Sequence, residues 1–587
     1  MIARAILLIV LAFLAQPIVL GAQANVPSAE APASELAALV SRYSADRQSL
    51  MRRYTVQYLP ERAARLERFY KDWQKELSAV KYDGLGAEGR IDYVLLTSRL
   101  EYELRLLARE QAWVKDTVTL LPFAKDVTDL LEKRGRLDPM DGEAAAAALD
   151  RVSRGLTEAM RAVDRPGAAA AGPVADAERA RKINALRAVE VLTSLKDGLA
   201  EWHRFYGGYD PMFTWWAEVP YTAVDKGMAA YLKVLKEKVI GYKDGDDEPI
   251  VGNPVGRDAL VSDLLSEFVP YTPEELLQVA EREFAWCDRE MLRASREMGF
   301  GDDWKAALEK VKTLHVEPGR QVDLVLQLAR EAEDYVEQRD LITIPPLAKE
   351  DWRMVMMSPE RQKVNPFFLG GEMIQVSYPT DTMDHDDKLM SMRGNNIHFS
   401  RSTVFHELNP GHHLQGFMTA RYNTQRRAFG TPFWTEGWSL YWEMLLWDDG
   451  FPKTPENRIG MLFWRMHRCA RIIFSLRFHL GEWSPQECID FLVDRVGHER
   501  ANAEAEVRRS FNGTYPPLYQ LAYMMGGLQF RALHAELVES GRMTNRQFHD
   551  TIMKAGSMPV ELVRASLMQT RLPAGFKTNW KFAGALQ

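Results

Sequence analysis

The chain contains 587 residues, of which 46% are hydrophobic, and it carries a formal net charge of −7. This composition is typical of an ordinary globular protein with a large core, although the length would permit several domains. No block of like charges is long enough to indicate binding to nucleic acid or to a membrane surface.

Cysteine usage excludes two further classes of protein. The three cysteines, Cys287, Cys469 and Cys488, are too few and too scattered for a disulfide framework or a thiolate zinc site. At most one disulfide is expected, and Cys469 and Cys488 are the pair closest in sequence. None of the three is a candidate nucleophile.

The first 24 residues have the features of a secretory signal peptide. Arg4 is the only charged residue before an apolar run from Ala5 to Ala15, which is too short to span a bilayer comfortably. Ala22-Gln23-Ala24 supplies the small residues of a cleavage site, so we expect a periplasmic or secreted chain that begins near Asn25 and has no membrane contact. No cysteine follows the apolar run, which argues against a lipid anchor. A retained N-terminal anchor is the alternative.

Helical periodicity dominates residues 25–345, which we interpret as an N-terminal helical region. Apolar residues recur at spacings of three and four, with charged residues between them. The pattern predicts helices over Glu35–Tyr58, Ala63–Val80, Gly89–Leu121, Gly142–Val163 and Arg181–Phe205.

Residues 166–173 and 243–249 are predicted to be loops, the first of low complexity and the second solvated. A further helix is predicted from Pro273 to Met298, because Thr272 provides a cap directly before a proline in the first turn.

Residues 346–587 form the second predicted region. Strand patterns occur at Trp352–Met357 and Gly371–Tyr378, with a weaker one at Ile397–Phe399. They predict a small sheet just upstream of the most informative motif of the chain. We expect the two regions to form one integrated, mainly α-helical body.

That motif, His406 to Gln415, reads HELNPGHHLQ and indicates a zinc site. In the familiar HExxH signature, two histidines four residues apart bind the metal and the glutamate polarises the metal-bound water. Here Pro410 occupies the position of the second histidine. On an unbroken helix His412 would point away from His406, and His413 would lie ~10 Å further along the axis.

The chain must therefore deform between the ligands, and Asn409-Pro410-Gly411 is suited to that deformation. A two-residue loop would bring His412 into register, which is the arrangement we favour. Alternatively, Asn409 would cap a new helix with Pro410 at its first position, and His413 would be the ligand.

The string resembles the HExxPGHxxQ pattern of the bacterial family known as domain of unknown function 885. That family is similar to helical zinc peptidases whose third ligand is a glutamate, and dipeptidyl peptidase III also has an insertion between its histidines. The resemblance covers most of the chain, weakly before about Ile250 and most specifically from Arg393 to Arg531. It implies a two-lobed helical body with a deep cleft and a sheet edge that pairs with the substrate backbone.

The third ligand is expected on a helix that begins after Thr431, a cap residue followed by Pro432, and ends near Gly450. Glu436 and Glu443 are seven residues apart and share one face of it. This spacing is similar to the equivalent helix of the carboxypeptidase Taq family, in which the first glutamate binds zinc. The resemblance implies Glu436 as ligand and Glu443 as the residue that orients a ligand histidine.

Two histidines and a carboxylate leave one open position on a single Zn²⁺ ion, which is typical of a catalytic site. Glu407 is then the general base. The negative charge that develops on the substrate oxygen needs a hydrogen-bond donor, for which Tyr523 and His479 are the candidates. Tyr519 stands where the family resemblance leads us to expect glutamine.

His479 ends an arginine-rich helix that resembles one in the family, although Ser475 and Arg477 depart from the family pattern. Arg471 of the same helix is a candidate to bind a substrate carboxylate.

The sequence thus predicts a zinc metallopeptidase that acts on short peptides, or a related amidase. The rival hypothesis is a helical envelope binding or scaffold protein with a structural or vestigial metal site. In that case a further protein ligand, with His413 the nearest, would occupy the fourth position.

Overall fold

The computed structural model describes residues 34–164, 174–243, 248–362, 367–512 and 515–584. The predicted signal peptide, the low-complexity segment 166–173 and most of the predicted loop 243–249 lie outside these residues. The described part of the chain is mainly helical, as predicted. None of its helices is long and apolar enough to cross a membrane.

The N-terminal half of the described chain contains twelve α-helices: α1 (Ala37–Arg53), α2 (Pro60–Ser78), α3 (Ala87–Thr117), α4 (Ala124–Arg136), α5 (Gly142–Val163), α6 (Val174–Tyr206), α7 (Pro211–Val234), α8 (Arg257–Ser266), α9 (Pro273–Glu297), α10 (Trp304–Lys312), α11 (Gln321–Gln338) and α12 (Pro346–Glu350).

The remaining described elements are strands β1 (Arg353–Met356) and β2 (Met373–Val376) and helices α13 (Pro359–Gln362), α14 (His385–Gly394), α15 (Ile397–Glu407), α16 (His412–Thr419), α17 (Pro432–Asp448), α18 (Pro455–His479), α19 (Pro485–Phe491), α20 (Arg500–Phe511), α21 (Tyr519–His534), α22 (Asn545–Ala555) and α23 (Val560–Leu567).

Side-chain caps define the helix starts that the sequence located best. The Asp141 carboxylate accepts hydrogen bonds from the amides of Glu143 and Ala144, and α5 has the predicted bounds. Thr272 and Glu275 form a reciprocal capping box at the start of α9. Each cap satisfies backbone donors that would otherwise be unpaired in the first turn.

The sheet consists of two short parallel strands, with Arg353 opposite Met373 and Met356 opposite Val376. The strand predicted at Ile397–Phe399 is wrong, because these residues form the first turn of α15. The Asn396 side chain accepts from the amides of His398 and Phe399. A local cap therefore overrides the β propensity of two apolar residues.

Three apolar clusters organise the described helices. The largest joins α1–α3 and α8–α10 to the C-terminal helices, so residues from both predicted regions share it. A second cluster lies within α4–α7 and their connections. The third packs β2 against α11 and α15, so the sheet lies beside the helix that carries His406 and Glu407. All three cysteines are buried and free, so the pairing of Cys469 with Cys488 does not form.

Candidate functional site

The motif from His406 to Gln415 is divided between two helices. Helix α15 ends at Glu407 and α16 begins at His412, and the intervening Asn409–Pro410 peptide bond is cis. The break is held by hydrogen bonds from the Gly411 amide to the Phe405 carbonyl, 3.1 Å, and from the Trp438 indole to the Pro410 carbonyl, 2.8 Å. A Cβ atom on Gly411 would lie 1.9 Å from the His406 oxygen, so only glycine permits this approach.

The alternative in which Asn409 caps the second helix is wrong. Gly411 occupies the cap position of α16. The Asn409 amide instead donates to Glu333 at 2.8 Å and to the Ala348 carbonyl at 3.1 Å. The deformation that the sequence predicted is present, and it brings His412 back beside His406.

His406, His412 and Glu436 converge on one point. Nε2 of His412 lies 3.0 Å from Oε2 of Glu436, and Nε2 of His406 lies 3.5 Å from the same oxygen. The two imidazole rings are nearly perpendicular, with centroids 4.8 Å apart. In a tetrahedral zinc site with bonds of about 2.0–2.2 Å, neighbouring donor atoms are roughly 3.4 Å apart. Both distances to the Glu436 oxygen therefore suit such an ion.

The opposite nitrogen of each imidazole has its own partner. Nδ1 of His406 lies 2.7 Å from Oε1 of Glu443, as predicted for an orienting carboxylate. Nδ1 of His412 lies 3.2 Å from the Ser439 hydroxyl, which itself donates to the His406 carbonyl at 2.9 Å. Carboxylate and hydroxyl oxygens thus accept from the two Nδ1–H groups.

In this tautomer both Nε2 atoms present lone pairs to a carboxylate oxygen. Such an arrangement is repulsive unless a positive charge lies among the three donors. Burial alone lowers the pKa of His412, but the neighbouring Glu436 carboxylate outweighs burial and raises it to about 9. Burial raises the pKa of Glu436, but the two imidazoles outweigh this effect and hold it well below its usual value. The site therefore stabilises positive charge.

Glu407 is placed next to this centre. One of its carboxylate oxygens lies with ligand atoms of His406 and His412 in a group whose members are all within 4.8 Å of one another. Burial raises the pKa of Glu407, although the two imidazoles oppose the shift. Gly370 lies directly against it, because a Cβ atom there would be 2.3 Å from its Oε2. A carboxylate with a raised pKa is a suitable proton acceptor.

Two tyrosines of α21 reach the same centre. The Tyr519 hydroxyl donates to Oε1 of Glu436, a role that the sequence left open. The Tyr523 ring lies nearly parallel to the His406 ring, with centroids 6.1 Å apart. Both tyrosines line the cavity at the centre. Their spacing of four residues, which places them on one helix face, was the available signal for Tyr519.

A close helix crossing positions these tyrosines. Gly437 of α17 faces Gly526 of α21, and a Cβ atom on Gly526 would lie 2.1 Å from the Phe433 carbonyl oxygen. The absence of side chains at both positions lets the two backbones approach closely. The helix that carries Glu436 is thereby brought within hydrogen-bond reach of Tyr519.

Two predicted site residues are not brought to the centre. His413 is buried and does not line the cavity at the centre. Its Nε2 lies 2.8 Å from the Ala348 carbonyl and 3.0 Å from Asp351. His479 lines a separate cavity and packs against Phe478 and Phe511. Burial lowers the pKa of His479 to about 3. The prediction of His479 as a donor to the reacting oxygen is therefore wrong on position.

Arg471 is brought to the cavity, where its Cζ lies 4.4 Å from the Tyr523 ring centroid. Its Nε donates to Oε1 of Glu506 at 2.7 Å. The cavity has a volume of about 560 Å³. Its lining includes His406, His412, Glu407, Glu436, Tyr519, Tyr523 and the loop from Phe367 to Gly371. This volume is in the range of small-molecule sites.

Comparisons with known proteins identify relatives of unknown function. A family model described as "Bacterial protein of unknown function (DUF885)" matches residues 45–567. The fold is similar to that of a presumed lipoprotein of unknown function from Shewanella oneidensis, with a TM-score of 0.66 and 17% identity over 91% of this chain and 100% of that one. No curated protein matches significantly.

A presumed lipoprotein from Colwellia psychrerythraea has the same fold, with a TM-score of 0.54 and 15% identity over 91% of this chain and 98% of that one. At these identities the likeness concerns the fold alone.

Proposed function

The chain belongs to DUF885, a family of bacterial proteins of unknown function, and from its own side chains we propose that it is a zinc-dependent hydrolase that cleaves short peptides. The observation that carries the proposal is the convergence of two imidazole Nε2 atoms on one Glu436 oxygen, at 3.0 and 3.5 Å. His406, His412 and Glu436 would hold a single Zn²⁺ ion, for which nitrogen and carboxylate donors are suitable.

When bound there, zinc would polarise a carbonyl group and lower the pKa of a water molecule. Glu443 and Ser439 fix the two imidazoles in the tautomer that leaves Nε2 available. Glu407 accepts the proton of the attacking water and transfers it to the departing amine. Tyr523 lines the cavity beside the His406 ring, so its hydroxyl is available to donate to the oxygen on which negative charge develops.

The cavity supports short substrates. A volume of about 560 Å³ accommodates a few residues of an extended peptide and does not admit a folded domain. The two large apolar clusters are compatible with a two-lobed body in which this cavity is the base of a deep cleft, and we include that arrangement in the proposal. A periplasmic or secreted location agrees with the description of both structural neighbours as presumed lipoproteins.

The rival scaffold hypothesis expects a fourth protein ligand at the metal, with His413 the nearest. The contacts of His413 with the Ala348 carbonyl and Asp351 count against it. Because His413 is held by these contacts and does not line the cavity, the fourth position is left for a small molecule.

The test combines the metal content of the purified mature protein with cleavage of a mixed peptide library. Glu407→Gln is expected to retain zinc and to lower kcat by a factor of about 10²–10⁴. Glu158→Gln, on the exposed face of α5, is the matched control and should behave like the wild type. Protein that binds no divalent metal, or a Glu407→Gln variant that remains fully active, would refute the proposal.

A further inference from the structure

The cavity that contains the proposed metal ligands is also rich in arginine. Among its described lining residues are five arginines, Arg361, Arg427, Arg468, Arg471 and Arg509, whereas the acidic ones are only Glu407 and Glu436. Both acids are already committed to the proposed metal chemistry. The remaining wall is therefore positively charged and suits an anionic ligand.

The buried arginines share their counter-ions. Glu506 pairs with both Arg471 and Arg509, at 2.7 and 2.9 Å. Glu443 lies 3.5 Å from Arg468, but the same oxygen accepts from His406 at 2.7 Å. Neither Arg471 nor Arg468 thus has a described carboxylate of its own. A buried guanidinium ion without a dedicated counter-ion favours the entry of an anion.

Unused donors point to the same conclusion. Arg471 is 2% exposed and Arg468 is 7% exposed. Nη1 of Arg471 and Nε of Arg468 have no hydrogen-bond partner among the described residues. Both guanidinium groups lie over the Tyr523 ring, with Cζ 4.4 and 4.8 Å from its centroid. Planar guanidinium groups of this kind recognise carboxylates through paired N–H···O bonds.

We propose that Arg471 and Arg468 bind the free α-carboxylate of a peptide, which makes this protein a carboxypeptidase; the inference rests on the hydrolase proposed above. Tyr523 connects the two parts of the site, because its ring centroid is 4.4 Å from the Arg471 Cζ and 6.1 Å from the His406 ring centroid. A peptide residue spans about 3.3–3.6 Å. A carboxylate at Arg471 therefore places the bond one or two residues upstream at the metal centre.

The reaction is an ordinary hydrolysis. Water oxygen bonds to the carbonyl carbon, the C–N bond breaks, and the departing nitrogen takes a proton to become an amine. The products are a shortened peptide with a new carboxylate and a released amino acid or dipeptide. No oxidant, reductant or co-substrate other than water is required.

A binding experiment tests the carboxylate independently of turnover. Zinc-loaded Glu407→Gln protein is titrated calorimetrically with three probes: trialanine with a free carboxylate, trialanine amide, and Ala-Glu-Ala amide. The free acid is expected to bind about ten- to a hundredfold more tightly than either amide. Equal affinity for acid and amide would overturn the inference, and tight binding of Ala-Glu-Ala amide would reassign the arginines to an acidic side chain.

Arginine variants in the same background assign the preference to these residues. Arg471→Gln should abolish the difference between acid and amide, and Arg471→Lys should retain part of it, because an ammonium ion keeps the charge but loses the planar fork. Arg154→Gln, an exposed arginine of α5, is the matched control and should keep the full difference. If Arg471→Gln does not fold, Arg468→Gln carries the same expectation. A preference that survives in the folded variants would refute the assignment.

Cleavage assays with the zinc-loaded wild type separate the two proposals. Release of alanine or dialanine from the free acid, with the amide uncleaved, supports both. Equal cleavage of acid and amide refutes the carboxypeptidase inference and leaves the hydrolase intact. An acid preference in binding without cleavage of any peptide refutes the hydrolase and leaves the carboxylate site.

Discussion

The buried His412 at the proposed metal site and the buried His467 and His498 beside the cavity arginines have pKa values shifted in opposite directions. At the proposed metal site, Glu436 outweighs burial and raises the pKa of His412 to about 9. Beside the arginines, Nε2 of His498 lies 2.8 Å from Nδ1 of His467. Burial and the neighbouring arginines hold the pKa of His467 well below its usual value, and burial lowers that of His498 to about 3. The lesson is that a buried histidine pair does not by itself create a cation site. Carboxylates placed on the ring nitrogens decide it.

Removal of Glu436 should have the largest effect on zinc binding at the proposed metal site. Glu436→Gln takes away the only negative charge among the three proposed ligands, so zinc affinity is expected to fall by more than about a hundredfold. Zinc content after dialysis against a graded chelator series measures this loss, with Glu158→Gln as the control. Full retention of zinc would mean that the ligand set is wrong.

The ring of Tyr523 lies close to both Arg471 and His406. Its hydroxyl is expected to act only in catalysis. Tyr523→Phe keeps the ring beneath Arg471 and removes the donor, so kcat should fall by about 10²–10³ while KM and zinc content stay unchanged. Steady-state kinetics with a cleaved peptide provide the measurement. A rise in KM at constant kcat would assign Tyr523 to substrate binding instead.

Loss of the charge behind His406 should have a smaller effect on metal binding. Glu443→Gln leaves an acceptor for Nδ1 of His406 but removes the negative charge, and zinc affinity is expected to fall by about 10–100-fold. Competition with a fluorescent zinc chelator measures the change. If the affinity is unaltered, Glu443 serves only as a counter-ion of Arg468.

The buried His498 should make stability sensitive to acid. The folded pKa of His498, about 3, lies below its usual value of 6.5, so the unfolded chain binds the extra proton and stability falls as the pH drops below 6.5. This histidine alone should cost about 2 kcal/mol between pH 6.5 and 5. Thermal unfolding of His498→Asn should show a correspondingly shallower pH dependence.

The matched control is His315→Asn, since His315 is a partly exposed histidine that does not line the cavity. It should leave the pH dependence of the wild type unchanged. Identical slopes for His498→Asn and the wild type would show that His498 is protonated at no net cost in the folded protein.

The motif from His406 to Gln415 and the helix that carries Glu436 were predictable because their signals are local. The pair His406 and Glu407 lies on one helix, the Asn-Pro-Gly break is written in the sequence, and Thr431 with Pro432 marks the start of α17. The spacing of Glu436 and Glu443 follows from helical periodicity. These features depend on residues within a few turns of one another.

Predictions that required long-range packing fared differently. His479 was chosen from its position in an arginine-rich helix, but the packing of α18 turns it toward another cavity. The contact of Tyr519 with Glu436 depends on the crossing of α17 and α21 at Gly437 and Gly526. The sequence around either glycine does not indicate which helix it packs against. The sharing of Glu506 between Arg471 and Arg509 is likewise invisible along the chain.

By itself, the sequence determined the helical character of the protein, the residues able to donate to a metal, and the point at which the motif bends. These follow from periodicity, capping and the conformational limits of proline and glycine. Only the tertiary structure decided which imidazole faces Glu436, which tyrosine reaches it, and that arginines line the same cavity. Those outcomes depend on helices far apart in the chain that pack closely enough to exclude water, where burial and neighbouring charge set the chemistry of each side chain.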